Sequence, residues 1–436
     1  MKHFKTGIAL LAMLGLSTSV HAQAVPAQAF TRVTVHLADG TSIPNASIVW
    51  RNGVIEAVGA NVTLPFDARI THGGDSLHVY PGFIDGLATW GTPEAARPAP
   101  NERVARPGEP GYERAGIQPE RSVQPLLKKD AAEFNLARNN GFTLAAIAPQ
   151  GYMLPGQLSV FHVKGEETSA SIYRRDLAPK ASLAGARGVY PGTVMAVMSR
   201  YRQLFNHASA LKARQTANEA NVGRDAVLEA LYPVMEKKTP FYFVADDRED
   251  IARILKLSDE LGFRFVLVSG KDAGIHAAEL AKRGIPVLAS IDLTARPDTS
   301  KIAEGEHAGW HERQMSEWTS HVRNIRTLLD AGVTVGYASN GLKPADIRKN
   351  LDLLVSDGGL SDADIVKMMT SSTANILGLN TVAGDIRTGR LADLVVTTKP
   401  LTTKNSKILY TVTGGTVTEI KSTPSGPAGP RGRMPQ

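Results

Sequence analysis

Pro81-Gly82-Phe83-Ile84-Asp85-Gly86-Leu87-Ala88-Thr89 is the stretch from which the rest of the chain is read. Gly82 to Asp85 is a short apolar strand, and a long middle region of the same kind follows it. Further strands are predicted over Thr143 to Ala148, Leu158 to Val163, Phe241 to Ala245, Phe263 to Val268, Ile285 to Ile291 and Val333 to Ala338. Helical patterns lie between them, as in Ile251 to Leu261 and Gly274 to Lys282. Nearly continuous apolar strands joined by amphipathic helices imply a parallel sheet buried on both faces. This many units predicts an α/β fold of the (β/α)8 barrel type. A doubly wound open sheet is the second choice, and no Gly-x-Gly-x-x-Gly run supports dinucleotide binding on it.

The two ends read differently. Val33 to Leu37 alternates, and Ile48-Val49-Trp50 and Val54 to Val58 flank Asn52-Gly53, a hairpin signal. Asp393 to Val396 and Ile408 to Val412 are also strand-like, with Gly414-Gly415 after them. Both ends are therefore expected to build one small β-sandwich, from residues 23–80 and 383–421, around a barrel over 81–382. Residues 422–436, rich in proline and glycine, read as a disordered tail. Thr92 to Arg121 carries five arginines and five glutamates among prolines and glycines. It follows the first barrel strand and reads as a flexible surface loop, with a lid or docking arm as the functional alternative.

Composition bounds the function. Charged residues over Met1 to Lys5, an apolar run from Ile8 to Leu16 and Val20-His21-Ala22 before Gln23 make residues 1–22 a secretory signal peptide. The apolar run is too short for a membrane span, and no later segment is long and apolar enough. The mature chain is expected to be exported, and periplasmic in a Gram-negative cell. The absence of cysteine excludes disulfides, thiolate metal sites and a cysteine nucleophile. Net charge is +7, and +5 once Lys2 and Lys5 leave with the leader. The basic residues are dispersed, so no nucleic-acid partner is expected. Gly-x-Ser-x-Gly is absent, which leaves a serine nucleophile without a motif.

The opening stretch resembles the signature of the amidohydrolase superfamily, proline-glycine-phenylalanine-isoleucine-aspartate followed by His-x-His. Met369 to Leu379 resembles the family's barrel-ending helix, with Ser372-Thr373 in place of asparagine-proline, and Gly384 to Val396 is similar to its return into the sandwich. Gly389 suits the turn there, and Asp393 is placed to brace the strand after it. The resemblance implies metal ligands from the histidine pair, a strand-four lysine or acid, one histidine each from strands five and six, and a strand-eight aspartate that also takes a proton from the attacking water. The metal would lower the pKa of that water and polarise the scissile carbonyl.

Mapped residue by residue, this pattern is altered. Leu87 and Thr89 stand at the histidine pair; leucine has no lone pair, and a hydroxyl is a poor zinc ligand. Phe241 to Asp246 resembles a strand ending in His-Ala-His in imidazolonepropionase-like members, with Val244 and Asp246 at those places. Ser269 stands where Val266 to Gly270 would carry a histidine, and Asn340 where Val335 to Asn340 would end in aspartate. An amide cannot serve as general base. Gly156 to Gly165 resembles a segment bearing the bridging lysine, which puts His162 at that position. The barrel-mouth candidates are thus Asp246, Ser269, Asn340, His162 and Thr89, a weak set for zinc.

Other residues offer less. His307-x-x-x-His311, with Glu312 and His321, has metal-like spacing on a helix, but a polar helix start accounts for it as well. Asp246-Asp247 could present one acid to the mouth, with Asp272 or Asp292 as a second. Lys343 could bind an anion there, though such lysines are commonly solvated; His72 and His78 read as structural or exposed. Three functions compete. One is an exported family member that has lost its metal-dependent site, needs no cofactor and binds a small molecule or supports an active relative, alone or as a homo-oligomer. A second is a hydrolase of amide or cyclic amide C–N bonds with a rebuilt site, the one reading that takes a divalent metal such as zinc. A third uses Thr92 to Arg121 to dock a partner.

Overall fold

The computed structural model describes residues 25–95, 104–128, 132–164, 171–298 and 308–420. The leader, the tail, His307 and the middle of the Thr92 to Arg121 segment lie outside them. Two eight-stranded sheets organise the chain. The first is built by β1 (Gln28–His36), β2 (Ser42–Arg51), β3 (Val54–Gly59), β4 (Arg69–His72) and β5 (His78–Pro81) from the front of the chain, and β14 (Leu394–Thr397), β15 (Ile408–Thr413) and β16 (Thr416–Glu419) from the back. β5 pairs with both β1 and β14, and this joins the two ends. One face buries Phe30, Val35, Ile48, Trp50, Leu394 and Val412, and Ala27, Ala29 and Val49 pack on the other. Asn52 and Gly53 both take positive φ, which lets the β2–β3 hairpin turn in two residues.

The second sheet holds β6 (Phe83–Ala88), β7 (Phe142–Ile147), β8 (Gly156–His162), β9 (Ile172–Ser182), β10 (Phe241–Ala245), β11 (Phe265–Ser269), β12 (Val287–Ala289) and β13 (Val335–Tyr337), in that order across the sheet. Sequential order without a reversal is barrel-like and differs from a doubly wound sheet. Two features depart from the expected (β/α)8 pattern. β8 runs antiparallel to both its neighbours. Only residues 148–155 separate β7 from β8, too few for a parallel crossover. The ladder also does not close between β13 and β6 among the described residues. The seam is held instead by single bonds. The Asn340 N–H donates to the Leu87 carbonyl at 3.0 Å, and the Ser339 N–H donates to Asp85 Oδ1 at 3.0 Å.

Strand alternation separates two cores. Phe142, Phe241, Phe243 and Phe265 point outward onto helices, among them Val194–Thr216 and Arg248–Leu261, through Tyr201, Phe205 and Ile254. Ile84, Leu144, Val160, Ala178, Val268 and Leu288 point inward. Thr373, just past the π-turn Met368–Ser372, holds the last residue of β13: its hydroxyl accepts the Tyr337 N–H at 2.8 Å and donates to the Met368 carbonyl at 2.7 Å. Residues of the segment after β6 are pinned rather than free. Ile117 and Val123 are buried, and Ile117 and Ser122 bridge to Leu154 and Gln157 beside the β7–β8 hairpin. No helix among the described residues is long and apolar enough to cross a membrane.

Candidate functional site at the barrel mouth

The C-terminal ends of β6, β10, β11, β12 and β13 meet at one end of the barrel, where side chains from several strands converge. Asp85 lies inside β6 and is fully buried. Its Oδ1 accepts the N–H of Leu87 at 3.1 Å as well as that of Ser339. Its Oδ2 is buried without a partner. Burial pushes this carboxyl up to about 6, against the pull of the Ser339 and Leu87 bonds. Asp85 is therefore a seam residue that ties the first barrel strand to the segment after the last.

Leu87 is fully buried in the inward-facing aliphatic cluster. Asp246 follows β10 and is exposed, its carbonyl accepting the Asp272 N–H at 2.9 Å. Asp247 does not pair with it chemically; its carboxylate caps the helix Arg248–Leu261 by accepting the Asp250 N–H at 2.8 Å. Ser269 ends β11, buried, with φ of 76°. Asn340 follows β13 half-buried, with φ of 40°. Both left-handed residues mark where strands break off into the mouth. The second acids are engaged elsewhere: Asp272 with His321 at 2.9 Å and Asp292 with Lys271 at 2.9 Å. His311 keeps a buried Nδ1 without a partner and packs its ring on Trp310. Lys343 is exposed.

His162 is not at the mouth. It is the last residue of β8, the third strand in sheet order, and β8 runs backwards, so His162 pairs with Leu144 near the start of β7. There it stands edge-on to Tyr173, near Lys164 and Gly414 of the first sheet. Burial, then Lys164, lowers its imidazole to about 4. The fourth strand is β9, where the resemblance implies a lysine or acid, and Lys180 stands near its end two residues beyond inward-facing Ala178. Register sets Lys180 beside Tyr242 of β10, which also faces inward. Its Nζ reaches the carbonyl of Pro149, beyond the C-terminal end of β7, at 3.4 Å. Burial lowers this ammonium to about 8. Sequence reading passed over it because the strand Ile-Tyr-Arg-Arg-Asp-Leu-Ala-Pro-Lys-Ala-Ser is charged and holds a proline. Proline's fixed φ and missing N–H argue against strand, and only the pairing with β8 and β10 makes it one.

Among the described residues no group of three or more histidine, aspartate or glutamate side chains comes together. The mouth offers the exposed carboxylates of Asp246 and Asp292, the latter paired with Lys271, along with one buried amine, an amide and hydroxyls. That donor set does not fit a tetrahedral zinc ion.

The fold has clear relatives. Residues 174–418 match the model of the amidohydrolase family, more than half of the sequence, and the chain belongs to that family. An amidohydrolase from Thermotoga maritima MSB8 superposes with a TM-score of 0.74 at 21% identity, over 89% of this chain and 99% of that one. A Xaa-Pro dipeptidase with bound methionine gives 0.54 at 14% identity, over 90% of this chain and 100% of its own. A prolidase complexed with N-methylphosphonate-L-proline gives 0.53 at 15%, over 90% and 99%. At such identities the likeness is one of fold. Comparison with curated proteins gives no match.

Proposed function

We propose that this is an exported, periplasmic member of the amidohydrolase family that binds a small molecule in its barrel mouth without metal-dependent hydrolysis. It would act as a binding protein or as a supporting subunit of an active relative, with no nucleic-acid partner. The observation that carries the reading is Leu87, an aliphatic side chain buried with other aliphatics at the end of the first strand, where the family resemblance puts an imidazole. Asn340 at the end of the last strand supports it, since an amide takes no proton from water at neutral pH. Neither residue can deliver activated water to a carbonyl.

The test is equilibrium dialysis of the purified mature protein against zinc, with a hydrolysis panel of amides, cyclic amides and proline dipeptides. The reading expects no stoichiometric metal and no product release. One tightly held zinc per chain, with turnover abolished by a chelator, would overturn it. A second reading, a hydrolase of C–N bonds with a rebuilt site, draws support from Lys180 and Asp246. It expects turnover that survives chelation and is lost in Lys180→Met and Asp246→Asn.

A further inference from the structure

A separate cleft lies between the segment after β6 and the helix Val194–Thr216. It holds about 490 Å³, within the range of small-molecule sites, and is lined by Gly108, Glu109, Pro110, Tyr190, Arg200 and Gln203. Backbone acceptors tie its walls together. The Tyr190 N–H donates to the Pro107 carbonyl at 2.7 Å, and Arg114 Nη2 donates to the Arg187 carbonyl at 3.0 Å. Arg200 is held in place there without being neutralised. Its guanidinium lies over the Tyr112 ring, 5.7 Å from the centroid, and its Nη1 donates to Gln203 Oε1 at 3.1 Å. Its Nε is buried without a partner, and it forms no salt bridge among the described residues. Asp225, which accepts the Tyr112 hydroxyl at 3.3 Å, is committed to capping the helix Ala226–Glu229 through the Leu228 N–H at 3.1 Å. Glu109, on the same cleft, is exposed and meets Arg106 only at a loose 3.7 Å.

We propose that this cleft binds a free amino acid, with its carboxylate on the Arg200 guanidinium and its ammonium on Glu109. A planar guanidinium presents paired N–H donors that match a carboxylate. Arg200 Nη2 has no partner among the described residues, so that donor is open. Gln203 and the Tyr112 ring fix the plane in advance, which lowers the ordering cost of binding. The two opposite charges also select. A plain carboxylate would gain Arg200 but meet the charge of Glu109, and a plain amine would gain Glu109 but meet Arg200. A ligand carrying both charges satisfies both side chains. Tyr190 and Pro110 offer apolar surface to its side chain. No bond is made or broken, and no residue of the barrel mouth takes part, so the proposal stands apart from the metal-free reading. The charged segment after β6 then serves as one wall of a binding site rather than as a free arm.

Saturation-transfer NMR on the purified protein tests this with three probes that share one aliphatic tail. Norleucine carries both charges, hexanoate only the carboxylate and pentylamine only the ammonium. Norleucine should bind, and each of the others should bind at least about tenfold more weakly. Arg200→Met, of unchanged circular dichroism, should weaken norleucine by roughly tenfold to a hundredfold. Glu109→Gln alters an exposed side chain and leaves the core untouched. It should bring norleucine down to the level of hexanoate while hexanoate binds no worse than before. These two results together support the proposal, and the second decides it alone if Arg200→Met does not fold. Norleucine that fails to bind at about 10 mM, where a millimolar site would be filled, overturns it. Hexanoate that binds as tightly as norleucine overturns it too, because the ammonium is then not read. Norleucine binding undiminished in both variants places the ligand elsewhere and likewise overturns it.

Discussion

Asp85 and Leu87 are two residues apart on one strand, and they do opposite work. Asp85 faces the seam, where its Oδ1 gathers two backbone N–H groups and ties the first barrel strand to the last. Leu87 faces the lumen and is packed among aliphatics. The seam thus holds a carboxylate that costs burial energy, while the neighbouring mouth position, where a ligand would be useful, holds a hydrocarbon. Residues two apart would ordinarily share a face of the strand; the register shift between Asp85 and Ala88 breaks that alternation, so seam and lumen positions can differ independently.

The contrast can be broken most forcefully at the seam. Asp85→Ala strands the Leu87 and Ser339 N–H groups in a dry interior, and urea unfolding should show a loss of roughly 4 kcal/mol. Asp85→Asn keeps an oxygen acceptor and should cost less than about 1 kcal/mol. The pH dependence sharpens this. Burial raises the folded carboxyl to about 6, above its ordinary 3.8, so the folded state binds more protons between those pH values. Wild-type stability should fall as pH rises from about 4 to 6, and Asp85→Asn should flatten that slope.

The lumen answers with the opposite sign. Lys180 in the folded chain is lowered from 10.5 to about 8, so its charged form is penalised by burial. The penalty is full below pH 8 and gone above the unfolded value, so wild-type stability should rise between about pH 8 and 10.5. Lys180→Met should gain about 3 kcal/mol at neutral pH and lose that rise, as melting curves across pH would show. Gly86→Ala probes where seam and lumen meet. Its Cβ would fall 2.5 Å from Leu288 Cδ2 and 2.8 Å from the Tyr337 carbonyl, and a loss of about 2 kcal/mol is expected in urea unfolding. The smallest effect belongs to Asn340→Asp. The side chain is only half-buried, so stability should move by less than about 0.5 kcal/mol, and amide assays should show no new turnover.

Much of the scaffold was legible in the sequence. Seven of the eight barrel strands announce themselves as apolar runs, and Asn52-Gly53 reads directly as a two-residue turn. Asp393, expected to brace the strand after it, accepts the Gly414 N–H with its Oδ1 at 2.6 Å, at the turn between β15 and β16. β9 escaped notice because its strand state comes from its neighbours rather than from its residues, and the helix Val194–Thr216 was also passed over. The resemblance of Gly156 to Gly165 put the strand-four position at His162 on β8, and without β9 Lys180 stayed hidden. The reversal of β8 has the same origin: loop length, not residue type, decides strand direction. At the mouth, Asp247 reads as an acid in sequence, but its local bond to Asp250 makes it a helix cap. Geometry of that kind lies in the third dimension and leaves no motif.

The central claim is that the barrel mouth lacks the donors to hold a Lewis acid. Anomalous diffraction at the zinc edge, from crystals of the protein grown with zinc, tests it most directly. The account predicts no peak within bonding range of Lys180, Asp246 or Asn340. A full-occupancy peak about 2.1 Å from two or more of those side chains would contradict it.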